Sequence, residues 1–144
     1  MSLSSWVQSP TLEIATFAVS IPVALWVAAI LLINEVPDIR ADAAAGKNTL
    51  VVRLGVTTTR RVYAALQLGA IAAFIACGLS GLVPWWASLA SLVLLPQVRS
   101  ATRSIRDVRE DRAGLTRAIE TTLALHLIGS LLLVAAVLVA RFID

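Results

Sequence analysis

Three stretches free of Asp, Glu, Lys and Arg restrict what this sequence can fold into. They are residues 14–33, 62–98 and 121–140, with lengths of 20, 37 and 20. Crossing the hydrocarbon core of a bilayer takes about 20 consecutive apolar residues in a helix. The first and last stretches each suit one crossing, and the middle one is too long for a single span. Near its centre lie Gly78-Leu79-Ser80-Gly81 and Pro84, residue types that punctuate helices, so it divides in two. The expectation is an all-α integral membrane helical bundle, a single transmembrane domain over 1–144. Its four transmembrane helices fall at about 12–33, 62–79, 83–98 and 119–140, joined by polar loops 34–61 and 99–118. The spans are apolar on all sides, and no strand-like alternation competes.

Composition agrees with this reading. Charged residues make up 15% of the chain, against about 25% in an ordinary soluble domain, and the mean hydropathy is +0.85. The net charge of +3 does not indicate a nucleic-acid partner, because the basic residues cluster between apolar spans. Arg40, Lys47, Arg53, Arg60 and Arg61 precede the second span. Arg99, Arg103, Arg106, Arg109, Arg112 and Arg117 precede the fourth, and the intervening turn carries no charge. With four spans both basic loops share one side, which the positive-inside bias makes cytoplasmic. The expected protein is a multi-pass cell-membrane protein with both termini outside. Trp85 and Trp86 at the outer turn fit either an interfacial aromatic belt or plain helix packing. Cys77 is the sole cysteine, so no disulfide can form within one chain. The first ten residues carry no Lys or Arg, unlike the start of a cleavable signal peptide.

The loop after the first span concentrates acidic oxygens. Asn34, Asp38 and Asp42 are spaced i, i+4, i+8, with Glu35 three residues before Asp38. A helix continuing through this segment would stack those groups on one face, while Pro37 should bend or restart it. Clustered carboxylates repel one another unless a cation lies among them, and Mg²⁺ binds through a few carboxylates plus waters and phosphate oxygens. Gly46-Lys47 and Arg53 supply cations behind the cluster. A solvated polar loop accounts for the same spacing.

The run Asn34-Glu35-Val36-Pro37-Asp38-Ile39-Arg40-Ala41-Asp42, continuing through Gly46-Lys47-Asn48-Thr49-Leu50-Val51-Val52-Arg53-Leu54-Gly55, resembles the second aspartate-rich motif of the UbiA prenyltransferase superfamily. It is most similar to the branch that prenylates 1,4-dihydroxy-2-naphthoate in menaquinone biosynthesis. The resemblance implies a Mg²⁺-dependent transferase moving a prenyl group from prenyl diphosphate to an aromatic acceptor, within the second half of a nine-helix membrane fold. It implies that Asp38 and Asp42 are catalytic, that Glu35, Asp38 and Asp42 bind the metal, and that Asn34, Lys47 and Arg53 bind diphosphate. Glu35 stands where many members have Asp.

That family uses two acidic motifs, and the pattern occurs only once in these 144 residues. Asp107, Glu110 and Asp111 alternate with arginines, as on a salt-bridged polar helix. The expected partners therefore include a companion chain bearing the first motif, or a second copy of this one. A non-catalytic membrane fragment that keeps the motif by descent is the alternative. A transporter is disfavoured, since His126 is the one residue in the spans that suggests an ion path. A neutral His126 bonded to a neighbouring helix is the simpler expectation. Tyr63 and Gln67, one turn apart, could face the head-group cavity or bond another helix. Pro22 and Pro96 should kink their spans, and Cys77 should behave as a small buried apolar residue.

Overall fold

In the computed structural model, residues 10–106 and 111–143 are described, and every regular element among them is helical. Helix α1 is Pro10–Asn34. A 3₁₀ turn, Val36–Asp38, leads into the short α2, Ile39–Ala44. Helix α3 is Leu50–Leu79 and α4 is Trp85–Leu89. A 3₁₀ segment, Ala90–Leu94, joins α4 to α5, Leu95–Ser104, and α6 is Arg112–Ile143. Among the described residues three stretches, not the four expected, are long and apolar enough as helices to cross a membrane: Ile14–Ala44, Leu50–Leu79 and Arg112–Ala140. Helix α1 packs on α3 and α6, and α5 packs on α6 and α3, which closes the bundle.

The helices outrun the apolar stretches. Helix α3 starts at Leu50, capped by the Thr49 side chain, which accepts a hydrogen bond from the Val52 amide. Such a cap satisfies one of the amides left unpaired in the first turn of a helix. Helix α6 begins at Arg112, well before position 119. Hydropathy marks where a helix can contact lipid, not where its backbone hydrogen bonds stop.

The expected turn at residues 78–84 is present: α3 ends at Leu79 and α4 starts after Pro84. The segment that follows is not a regular helix. Pro96 lacks an N–H and its ring crowds the preceding turn, and the backbone tightens into the 3₁₀ geometry of Ala90–Leu94 just before it. Ser88 and Ser91 donate to the carbonyls of Trp85 and Ser88 at 2.8 and 2.7 Å, supplying donors where the α ladder is interrupted. Trp85 and Trp86 are exposed. That fits the interfacial belt, although each ring is also partly covered by the protein.

Two buried clusters hold the bundle. Around the turn end, Trp26 of α1 meets Ile71, Phe74 and Cys77 of α3 and Leu125 and Leu133 of α6. Around the loop end, Ile33 and Val36 meet Val51, Tyr63, Ile105 and Leu115. The outward faces carry Phe17, Leu31, Leu127, Leu131, Val134 and Leu138, all exposed. In water such a surface would be an aggregation liability, and against lipid it is a matched solvent.

Two side-chain details explain how α1 tolerates its sequence. Pro22 cannot donate to the Ala18 carbonyl four residues earlier. The Cys77 thiol of α3 donates to that carbonyl instead, at 3.7 Å. Cys77 is buried as expected, and it also acts as a weak donor that partly replaces the missing amide.

The second detail is Gly129 of α6, against which the Trp26 indole lies so closely that a β-carbon there would overlap the ring. Replacing Gly129 by valine should destabilise the bundle by about 1–3 kcal/mol, the usual cost of overpacking. Thermal unfolding in detergent measures this, and pairing the change with Trp26→Leu should recover most of the loss. An unaltered melting temperature would contradict the packing described.

Candidate functional site

The acidic loop is built by interrupting α1. The helix stops at Asn34, and Pro37 occupies the first turn of the 3₁₀ segment, a position that tolerates a missing N–H. Asp38 therefore takes φ −96°, ψ 0°, the sparsely populated bridge region where active-site residues often sit. Asn34 consequently does not share one continuous helix face with the aspartates. Asp38 and Asp42 still lie one turn apart, at the cap and in the first turn of α2.

The loop is anchored from below by apolar side chains. Val36 is fully buried, and Ile39 packs on the cluster containing Val51 and Tyr63. With that face committed to the core, Asn34 and Asp38 are exposed, and Glu35 and Asp42 are half-buried. The segment closes when the Lys47 amide donates to the Asp42 carbonyl at 2.9 Å. The Lys47 ammonium also donates to Asp42 Oδ1 at 2.9 Å. That hydrogen bond and then the charge of Asp42 hold Lys47 above the usual lysine range against slight desolvation, and Asp38 adds the smallest contribution. Asp38, Asp42 and Lys47 thus share one electrostatic neighbourhood.

The other expected site residues lie around this core. Glu35 Oε2 is buried without a hydrogen-bond partner, an uncommon condition for a carboxylate oxygen. Arg53 is exposed in the first turn of α3. Among the described residues, no three acidic, His or Cys side chains converge into a ready-made metal cage. Mg²⁺ does not require one, because it uses one or two carboxylates, several waters and substrate phosphate oxygens. The donor set is therefore chemically suited to an ion shared with a phosphate ligand, and the orphaned Glu35 oxygen adds a further acceptor.

Gly55, the last residue of the run, has a structural task that its sequence position did not reveal. It adopts φ +71°, ψ 162° inside α3, a conformation open essentially only to glycine. It thereby sets residues 50–54 at an angle to the rest of the helix. The kink determines how Thr49 and Arg53 approach the acidic loop.

Other residues singled out by sequence serve packing. The Tyr63 hydroxyl bonds Thr122 Oγ1 of α6 at 2.7 Å and accepts from Gln67 Nε2 at 3.1 Å, all three being buried. This is interhelical bonding, not a lining of the head-group region. His126 bonds Ser130 Oγ at 3.4 Å within its own helix, as i, i+4 spacing allows, and not a neighbouring helix. Asp107 and Glu110 lie outside the described residues. Asp111 Oδ1 accepts from the Gly114 amide at 2.7 Å and so caps α6.

Comparison with known proteins places the chain that carries this acidic loop. The model of the UbiA prenyltransferase family matches residues 2–119. The chain belongs to the UbiA prenyltransferase family. It is 33% identical to the 1,4-dihydroxy-2-naphthoate octaprenyltransferase of Escherichia coli (strain K12) across 97% of its own length. The match covers 45% of that enzyme, so this UbiA-family chain spans just under half the length of the relative. No solved structure matches the chain significantly.

Proposed function

We propose that this UbiA-family chain forms one half of an intramembrane prenyltransferase. The reaction would move a prenyl group from a prenyl diphosphate to an aromatic acceptor of the dihydroxynaphthoate type, in menaquinone-type quinone biosynthesis. The observation that carries the reading is the loop itself. Asp38 and Asp42, one turn apart beside Lys47, sit at the polar end of a membrane-length helix, where a lipid-borne diphosphate would reach them.

In this reading Asp38 and Asp42 would hold Mg²⁺, with Glu35 as a further oxygen donor. Bound together with diphosphate, Mg²⁺ would supply positive charge where negative charge develops on the leaving group. Lys47 would exchange its bond to Asp42 for one to a phosphate oxygen, freeing the carboxylate. Arg53 and Asn34 would bond the remaining oxygens. The C–O bond of the prenyl diphosphate breaks and its electron pair leaves with the diphosphate. A C–C bond forms from the prenyl carbon to the ring, and the ring releases the cation it exchanges, a proton at an unsubstituted carbon. The apolar helix faces would keep water from the allylic cation. The positive-inside bias of the basic loops supports a cytoplasmic position for this site.

The other acidic motif of the site, the first of the family's two, is then supplied from outside these 144 residues, by further polypeptide, by a companion chain or by a second copy. Reconstitution in lipid with a polypeptide carrying that motif tests the proposal. Mg²⁺-dependent prenyl transfer to 1,4-dihydroxy-2-naphthoate is expected from the combination. Transfer by this chain alone would favour the second copy. No transfer in any combination, together with no binding of prenyl diphosphate, would leave a membrane fragment without catalytic function.

A further inference from the structure

Away from the acidic loop, α3 and α5 enclose an open groove of about 530 Å³, within the range of small-molecule sites. Leu68, Leu95 and Val98 form much of its wall, and Arg60, Arg99 and Arg103 stand along it. Arg99 and Arg103 are four residues apart on α5 and so share one face, while Arg60 approaches from α3. All three are exposed. Among the described residues none of them pairs with an acidic side chain. Among the described residues no carboxylate lines the groove, and none of Glu35, Asp38, Asp42, Lys47 or Arg53 belongs to it.

We propose that this groove binds an anionic phospholipid. The arginines would take the phosphate head group, and the leucine and valine wall would take the start of an acyl chain. The complementarity has two parts. Three cations without acidic partners among the described residues attract a phosphate directly, since basic pockets between membrane helices gather anionic head groups. Apart from the Thr102 hydroxyl, the wall beside them is apolar and gives a soluble anion nothing to bind, whereas a lipid satisfies both halves at once. A prenyl diphosphate bridged by Mg²⁺ is a poorer match here, because the metal would find no carboxylate.

The test uses the full chain in nanodiscs containing equal parts of phosphatidylglycerol and phosphatidylcholine. Mild detergent extraction followed by mass spectrometry then measures the lipids that stay bound. Phosphatidylglycerol should be retained over phosphatidylcholine by about fivefold or more relative to the bulk mixture. The enrichment should vanish in the Arg99→Gln/Arg103→Gln double variant. It should also vanish in Ala64→Phe, which fills the groove from its α3 wall and leaves the charges intact. Arg112→Gln, outside the groove, should keep it. Absence of enrichment, or enrichment that survives both groove variants, would overturn the proposal. So would displacement of the lipid by prenyl diphosphate without Mg²⁺, which would make the groove a substrate site.

Discussion

Replacing Asp38 by asparagine should lower prenyl transfer by the completed enzyme by about 10²–10³-fold, the scale of losing one preorganised electrostatic contact in a transition state. The substitution keeps the size of the side chain and one oxygen while removing the charge that would hold Mg²⁺. Asp38 is exposed and its side chain makes no cap hydrogen bond, so stability should change by no more than about 0.5 kcal/mol. Asp42→Asn should produce a comparable loss of activity with an additional signature. Lys47 would lose its hydrogen-bonded partner, and its pKa should fall back toward the ordinary lysine range. Rates measured against Mg²⁺ concentration, alongside melting temperatures, separate a lost metal contact from a damaged fold. Retention of full activity in both variants would remove the acidic loop from the reaction.

Replacing Gly55 by alanine is the second large effect. A β-carbon there meets no atom within 4 Å, so crowding is not the cause. The cost comes from the backbone, because φ +71°, ψ 162° is a region that residues with a β-carbon avoid at about 1–3 kcal/mol. Asparagine should not rescue the site. Its tolerance is for the left-handed helical region, whose ψ lies near +47°. The variant either carries the strain or straightens α3, and straightening would swing Thr49 and Arg53 away from the acidic loop. Thermal unfolding should register the first outcome and weaker prenyl diphosphate binding the second. Wild-type values for both would show that the kink contributes nothing.

The parts of this molecule that sequence revealed are those written locally. Hydropathy located the long apolar helices, the Gly78–Pro84 cluster marked the reversal between α3 and α4, and Pro37 signalled the restart after Asn34. The spacing of Asp38 and Asp42 survived because both fall within one turn of α2.

What escaped depends on partners distant in the chain or on torsions. Cys77 with Ala18, and Tyr63 with Thr122, are each separated by 59 residues, and no local pattern identifies which helix faces which. The kink at Gly55 is a torsion angle hidden inside a run that otherwise looks continuously helical. The 3₁₀ geometry before Pro96 lies in a stretch whose apolar composition suits a regular span equally well. Glu35 resembled its acidic neighbours in sequence, yet the restart turns one of its oxygens into the protein.

The central claim is that the acidic loop is one side of a Mg²⁺-dependent prenyl diphosphate site. Its most direct test is a binding titration of prenyl diphosphate to the purified chain in nanodiscs, with Mg²⁺ and with a chelator. Binding should require Mg²⁺ and should be lost in Asp38→Asn, while the lipid retained by the arginine groove stays unchanged. Binding that is indifferent to both Mg²⁺ and Asp38 would contradict the claim.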